Sequence, residues 1–227
     1  MEGEGLNVIG RGLYRLSDVA RYTSLPEPRI RSWFTTRSDR KLDSVFQADY
    51  ATMDGAHVVS FLDMVDAWIA GQLRAEGVSM MKVRAAHLAL KSDIGTAHPF
   101  AHSSIYTDGK EVFTDVAKQV NDSALTHVVS RQGFFPRVRK TLTPIEYSAT
   151  SQMAERWNIA KGVLIDPRLS FGQPVVLGTG VATRVVAASF RANKRSADLV
   201  ARLFGITRKD VGAAVRFEER YGHQAAA

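Results

Sequence analysis

Hydrophobic residues recur with helical spacing in the first sixth of the chain. Ile30, Trp33 and Phe34 stand at i, i+3 and i+4, which puts all three on one buried face of a helix. A turn over residues 24–26 precedes that helix, and a shorter helix capped by Ser17 precedes the turn. The pattern therefore predicts two short helices joined by a tight turn.

The opposite face of the second helix is polar. A helical wheel places Arg31, Ser32 and Thr35 away from the core, with Arg29 on the flank. Residues 38–59 are polar as well, with weak alternation of apolar residues that predicts a β hairpin. The sequence therefore predicts a hairpin directly after the helix pair.

Two longer amphipathic helices follow the predicted hairpin. The first begins at the capping-box spacing Ser60 to Asp63 and ends at Gly77, and Ser79 caps the second. Both carry an apolar stripe, which we interpret as core. An interface between chains is the alternative.

The middle of the chain mixes strand and helix patterns. Residues 103–114 place Asp108-Gly109 between β-rich flanks, and this pair suits a two-residue type I′ turn of a hairpin. Residues 134–142 look helical, whereas residues 143–149 alternate like a half-buried strand that residues 153–157 can pair with. We interpret the cations of this region as a solvated face, with contact to DNA or a protein partner as the alternative: Arg131, Arg137, Arg139 and Lys140.

The C-terminal part begins with two short β-branched runs. Val163 to Ile165 stops at Asp166-Pro167, and Val175 to Leu177 stops at Gly178-Thr179-Gly180. Both runs are too short for helices and predict strands. Three helical patterns follow, and Gly205 can close the second of them in the left-handed conformation.

Packing of this C-terminal part can also be predicted. Phe171 and Pro174 are expected to pack on the three helices. Leu199, Leu203 and Phe204 are expected to form their core, since they share one helix.

Together the patterns predict an α+β fold that is mainly helical. Its parts are an N-terminal helix-turn-helix with a hairpin at residues 13–95, a small mixed β region at 96–160 and a three-helix, helix-turn-helix-like domain preceded by short strands at 161–222. These boundaries rest on composition shifts near residues 95 and 160.

Composition points toward nucleic acid as one partner. The chain of 227 residues has a net charge of +7 and a pI of about 9.8, and a basic balance suits a polyanion. It has no cysteine, which excludes disulfides and thiolate chemistry and fits a reducing cytoplasm. No apolar run reaches the length that a bilayer span needs, so we expect a cytoplasmic protein without a membrane partner.

The common signatures of enzymes are missing from the sequence. Walker, Gly-x-Ser-x-Gly and His-Glu-x-x-His motifs do not occur, and Gly178-Thr179-Gly180 lacks the rest of a dinucleotide fingerprint. His98 and His102 have helical metal-ligand spacing, but Pro99 disfavours a helix there. We therefore predict no catalytic residues, no metal and no cofactor, although a site assembled from distant residues is the alternative.

The N-terminal stretch resembles the helix-turn-helix of MerR-type regulators and phage excisionases. The resemblance lies in Tyr14-x-Leu16-x-x-Val19-Ala20, in the turn ending at Leu25, and in Arg29-Ile30-Arg31-x-Trp33. In that family the second helix enters the major groove and a β wing touches the DNA backbone. The resemblance therefore implies that residues 13–95 form a winged helix-turn-helix DNA-binding domain, with the predicted hairpin as the wing. A purely structural helix pair is the alternative. The residues that this resemblance and the need for donors and cations assign to DNA binding are Arg29, Arg31, Ser32, Thr35, Arg37, Arg40 and Lys41.

The C-terminal stretch resembles a small domain found in VapB-type antitoxins, whose partners are PIN-like ribonuclease toxins. The shared motifs are Asp166-Pro167, Phe171-Gly172, Pro174-Val175 and Gly178-Thr179. Gly180 and Ala182 stand where the family usually has Arg and Pro. The resemblance implies a toxin-binding role, for which the candidate residues are Phe171, Arg168, Arg184, Arg191 and Arg195.

The sequence thus predicts an antitoxin of a two-protein toxin–antitoxin module that also represses its own operator. The resemblance implies a PIN-like toxin, encoded by the adjacent gene, as protein partner. Operator duplex DNA is the second partner, and a homodimer is expected because helix-turn-helix proteins commonly pair to bind two half-sites. The alternative is a MerR-like transcription regulator with a small-molecule effector pocket in the middle region.

Overall fold

The computed structural model describes residues 10–35, 44–52, 55–107, 109–119, 142 and 144–222. The fold is α+β and mainly helical, which confirms the predicted class. The chain divides into two compact units. The first comprises residues 1–27, 50–61 and 156–227, and the second comprises residues 28–49 and 62–155. The predicted domain ranges 13–95, 96–160 and 161–222 stay a prediction.

Helices make up most of the regular structure, and the strands are short. The N-terminal elements are β1 (Tyr14–Arg15), α1 (Leu16–Thr23), α2 (Glu27–Phe34), β2 (Val58–Val59), α3 (Phe61–Ala75) and α4 (Met80–Ile94). The middle elements are α5 (Ser104–Thr107), α6 (Gly109–Gln119) and β3 (Ile145–Tyr147). The C-terminal elements are β4 (Ala154–Ala160), β5 (Val163–Ile165), β6 (Val175–Val176), α7 (Thr183–Ala192), α8 (Ala197–Phe204) and α9 (Arg208–Gly222).

The first unit contains the three C-terminal helices behind short antiparallel strands, as the sequence predicted. Strand β5 pairs with β4 on one side and with β6 on the other. Local caps fix the helix ends: the Ser196 side chain accepts a hydrogen bond from the backbone N–H of Leu199, and Gly205 closes α8 with φ +64°. A fully buried core joins the layers through Val176, Val186, Val200, Val211 and Ala214.

Two predicted core positions of this unit are wrong. Leu203 is 60% exposed, and Phe171 is 65% exposed instead of packing on the helices. Leu199 and Phe204 are half-buried, whereas Pro174 is buried as predicted. Leu203 is exposed because α8 is apolar around more than half of its circumference, and only the face that carries Val200 packs into the core.

The predicted hairpin over residues 38–59 is also wrong in its pairing. Strand β2 pairs antiparallel with β1, with Tyr14 opposite Val59. Residues 44–50 contain no strand. The backbone N–H groups of Val45 and Phe46 instead donate to the carbonyl of Trp33 at 2.8 and 3.0 Å, and both side chains are buried. Residues 36–43, which include Arg37, Arg40 and Lys41, lie outside the described residues.

The second unit is built around α3, which is buried on nearly every side. Helices α3 and α4 confirm the two predicted amphipathic helices, and the Ser79 side chain caps α4 by accepting from the N–H of Lys82. Strand β3 and the start of β4 confirm the predicted pair, since the N–H of Ser148 donates to the carbonyl of Met153 at 2.9 Å.

The hairpin predicted over residues 103–114 is wrong, because α5 and α6 occupy this stretch. Phe113, Val116 and Ala117 are all buried and stand at i, i+3 and i+4. This helical spacing extends beyond the predicted hairpin, and burying it outweighs the local turn preference of Asp108-Gly109. The predicted helix at 134–142 and the cations Arg131, Arg137, Arg139 and Lys140 lie outside the described residues, apart from Leu142.

Candidate functional site

Helix α2 presents the polar face that the sequence predicted for DNA. Arg29, Arg31 and Ser32 are exposed and Thr35 is half-buried, while the opposite face of the helix is buried. The hydroxyl of Ser32 donates to the Arg29 carbonyl at 2.7 Å, and that of Thr35 donates to the Arg31 carbonyl at 2.8 Å. Both hydroxyl oxygens keep lone pairs directed away from the helix, so this face can make polar contacts.

An exposed aromatic residue lies on a tight turn at residues 170–172 of the first unit. Ser170, Phe171 and Gly172 all have left-handed backbones, with φ of +48°, +56° and +84°. Left-handed backbone is costly for residues other than glycine and persists only where the surroundings enforce it. The Phe171 ring is therefore presented to solvent on a backbone that costs free energy to hold.

Contacts within the first unit hold this turn in place. The Phe171 carbonyl accepts from the N–H of Leu13 at 3.1 Å, and the N–H of Gly172 donates to the Leu169 carbonyl at 2.8 Å. A β-carbon added to Gly172 would lie 2.1 Å from the hydroxyl oxygen of Tyr14, so only glycine fits there. Hydrogen bonds and close packing therefore hold the backbone of this turn, although the side chain that it carries is exposed.

The four arginines predicted to contact a toxin are exposed but not equivalent. Arg168 is bound to Asp166 through two parallel contacts, Nε to Oδ1 at 2.9 Å and Nη2 to Oδ2 at 2.7 Å. Burial raises the pKa of Asp166, but the hydrogen bonds and charge of Arg168 prevail and hold this pKa below its usual value. Arg184 donates from Nε to Gln173 at 2.7 Å. Arg191 and Arg195 complete the set.

A cleft of about 790 Å³ opens among β1, α1, β2 and α7 in the first unit. Its wall carries both charge signs, from Arg15, Arg21, Asp18, Arg184 and Glu218. The cleft lies outside residues 96–160, where the effector-pocket hypothesis placed its pocket.

Inside this cleft, an arginine and a tyrosine form a fixed pair. Arg21 Nη2 donates to the Tyr22 hydroxyl at 2.8 Å, and its guanidinium lies 4.9 Å from the centre of that ring. Burial raises the pKa of Tyr22 to about 12, so its hydroxyl stays protonated. Both residues of the pair line the cleft.

A second group of charged residues lies inside the second unit. Asp63 and Asp66 extend from α3, His87 from α4, and Asp49 and His98 from the connecting segments. His98 Nδ1 lies 3.1 Å from Asp66 Oδ2, and His98 Nε2 lies 3.2 Å from Asp49 Oδ1. Burial lowers the pKa of His98, but these two hydrogen bonds and the nearby charges raise it to about 10.

Sequence reasoning missed this group of residues. In the sequence, His98 stood out only as a possible metal ligand together with His102. In the structure, Nδ1 of His102 pairs with the Ser104 hydroxyl at 2.8 Å and not with His98. A signal was nevertheless present, because Asp63 and Asp66 stand at i, i+3 among apolar residues of α3. Carboxylates on a buried helix face require partners, although the sequence did not show which.

In the part of the chain that the structure describes, no helix combines the length and apolarity that crossing a bilayer requires.

Comparison with known proteins places the exposed turn in a shared segment. Residues 163–217 match a family described as "Protein of unknown function (DUF433)". The chain is 25% identical over 217 residues to a Mycobacterium tuberculosis protein named "Putative antitoxin VapB45", a match that covers 86% of this chain and 89% of that protein. The fold is similar to the X-ray crystal structure of Rv2018 from Mycobacterium tuberculosis, with a TM-score of 0.72, 25% identity, and coverage of 91% of this chain and 98% of that one.

Proposed function

We propose that this protein is an antitoxin that binds and neutralises a partner toxin through the exposed turn at residues 170–172. The observation that carries the proposal is the Phe171 side chain, 65% exposed on a hydrogen-bonded left-handed turn within the segment that matches DUF433. The similarity over 86% of the chain to a protein named "Putative antitoxin VapB45" supports the same role.

The geometry of Phe171 suits a contact that dominates a protein interface. Aromatic residues are enriched among the few positions that carry most of the binding free energy. Binding costs less when the contacting group is already ordered, and the hydrogen bond from Leu13 holds the Phe171 backbone before any partner arrives. Burying the exposed part of this ring is therefore expected to contribute to affinity at a low entropic cost.

We propose a PIN-like ribonuclease as the toxin. Such nucleases hold metal ions with clustered carboxylates, which a basic partner complements in charge. Arg184, Arg191 and Arg195 are exposed on the same matched segment and can provide that charge. Arg168 is the weaker candidate, since its guanidinium already neutralises Asp166.

The first test is co-expression of the full chain with the product of the adjacent gene. Phe171→Ala is expected to weaken the purified complex at least about 30-fold, the loss that corresponds to roughly 2 kcal/mol at an interface hot spot. Leu177→Ala is the matched control, because Leu177 is also exposed in the first unit but lies outside the turn. A folded Phe171→Ala protein that captures the toxin and restores growth like the unmodified chain would exclude this turn.

Point variants are better than fragments for this test. The first unit combines residues 1–27 with residues 156–227, so a cut near residue 158 would remove part of its own structure. Loss of toxin capture by a fragment would then report unfolding as well as a lost contact.

We further propose that α2 binds operator DNA and that the protein acts as a homodimer. The exposed Arg29, Arg31 and Ser32 support the first statement, since arginine and hydroxyl side chains contact base edges and phosphates. Paired half-sites are common for proteins of this class. Sedimentation should give a dimer at tens of micromolar, and a monomer both with and without DNA would contradict the dimer.

A further inference from the structure

We propose that Asp49, Asp63 and His98 of the second unit form a binding site for a divalent transition-metal ion of the Zn²⁺ type. The site is separate from the turn that carries the proposed toxin contact and does not depend on the antitoxin function. It would act as a structural clamp, because its ligands come from α3 and from two segments without regular structure.

The three side chains have the spacing of a ligand set. One ligand atom from each lies within 4.8 Å of the other two. Two of the proposed ligand atoms, His98 Nε2 and Asp49 Oδ1, lie 3.2 Å apart. Asp63 Oδ1 lies 3.7 Å from the other ring nitrogen of His98, Nδ1. Ligands about 2.0–2.2 Å from a tetrahedral Zn²⁺ stand roughly 3.4 Å apart, so small side-chain adjustments would accommodate the ion.

A fourth side chain orients the histidine as metal sites require. Asp66 Oδ2 accepts a hydrogen bond from His98 Nδ1 at 3.1 Å, and Asp66 Oδ1 accepts from the N–H of Ala101 at 3.1 Å. Metal-binding histidines almost always donate their second ring N–H to a carboxylate, carbonyl or water. With Nδ1 held by Asp66, Nε2 is the nitrogen that an ion would bind, in place of its hydrogen bond to Asp49 Oδ1.

His87 provides a second, independent observation. Its side chain is 4% exposed, and neither ring nitrogen has a hydrogen-bond partner. Nε2 lies 3.5 Å from Asp66 Oδ2 without the alignment of a hydrogen bond, and the rings of Phe46 and Phe100 pack edge-on against the imidazole. A buried polar group without a hydrogen-bond partner costs free energy, so the His87 imidazole would gain from a polar ligand bound beside it.

The surroundings of His87 have room for that species. A cleft of about 620 Å³ is lined by both His87 and Asp49, and it opens toward Leu88 and Lys91 of α4. Catalytic and adaptable zinc sites keep a water as one ligand. A water bound to the ion in this space would give His87 a hydrogen-bond partner, and the cleft reaches one of the three proposed ligands, Asp49.

Imidazole with two carboxylates selects for transition metals of the Zn²⁺ class over Mg²⁺, which favours oxygen ligands alone. We therefore expect one Zn²⁺ per chain with a Kd in the micromolar range or below, and much weaker binding of Mg²⁺. The measurement is isothermal titration of chelator-treated, full-length protein with ZnCl₂, in parallel with metal analysis after gel filtration.

Asp49→Asn is the informative variant, since the Asp49 side chain is partly exposed and the change preserves shape. It should weaken Zn²⁺ binding at least about 10-fold. Zn²⁺ should raise the melting temperature of the unmodified protein and not that of this variant. Asp115→Asn and His102→Gln are matched controls in the same unit, with an exposed carboxylate and a histidine paired with Ser104. Both should bind Zn²⁺ normally.

Co²⁺ provides a test that needs no variant. Binding should produce the visible absorption bands of Co²⁺ with nitrogen and oxygen ligands, and X-ray absorption of the Zn²⁺ form should show one imidazole. Absence of binding at 100 micromolar Zn²⁺ would overturn the proposal. So would equal binding by Asp49→Asn, loss of binding in His102→Gln, or a coordination shell without imidazole.

Discussion

Helix α8 offers a direct comparison between a core residue and an exposed residue three positions apart. Val200 is fully buried in the cluster with Val176 and Val186. Val200→Ala removes two methyl groups, worth about 1.6 kcal/mol at roughly 0.8 kcal/mol per buried carbon. The cavity left behind adds to this loss, so the unfolding free energy should fall by about 2–3 kcal/mol.

Leu203→Ala removes one more carbon but should cost much less. Leu203 is 60% exposed, so only about two fifths of the three lost carbons count as buried, and solvent fills the space. The same rate of roughly 0.8 kcal/mol per carbon then gives about 1 kcal/mol at most. The two variants are thus expected to reverse the order that the sequence alone suggests, in which Leu203 belongs to the core.

Urea denaturation of both variants measures this difference, with far-UV circular dichroism and tryptophan fluorescence followed together. Coincident curves are needed, because a chain with two compact units can unfold in more than one step. If Leu203→Ala proved at least as destabilising as Val200→Ala, the assignment of the buried face of α8 would be refuted. Both variants should keep the slope of the unfolding free energy against urea concentration and should shift only the urea midpoint, because the two changes act on stability.

Further predictions concern other sites on the chain. Arg31→Ala should weaken operator binding about 5- to 150-fold, the loss of one good base contact at about 1–3 kcal/mol, in a fluorescence titration where Lys118→Ala has no effect. An unchanged affinity of this variant for the operator would show that α2 does not recognise the DNA sequence. Gly172→Ala should destabilise the chain by roughly 2 kcal/mol more than Gly178→Ala, since both glycines have positive φ but only the first lacks space for a β-carbon; equal midpoints in urea would contradict this. Because the folded pKa of Asp166 is depressed, its contribution is present above the ordinary carboxyl pKa and is lost as pH falls through the lower folded value. In the Asp166→Asn variant, the unfolding free energy should therefore fall less steeply as the pH is lowered. An equally steep fall in this variant would show that other carboxylates cause the loss of stability at low pH.

Local signals in the sequence were sufficient for much of the helical structure. A capping box opens α9, with the Thr207 backbone N–H donating to Asp210 at 2.9 Å and the Asp210 N–H donating to the Thr207 hydroxyl at 3.2 Å. Ser79 caps α4 and Gly205 ends α8 as predicted, and Ser196 caps α8 in the same local way. These interactions span three or four residues, so the sequence contains every partner that they need.

The sequence by itself determined the mainly helical α+β class and the ends of these helices, because capping and periodicity are local. Only the tertiary structure decided which face of the apolar α8 is buried, and that β2 pairs with β1 across more than 40 residues of chain. It also brought Asp66 and Asp49 to His98 from 32 and 49 residues away. Such contacts depend on the competition between alternative partners for one core, and no window of sequence contains all the competitors.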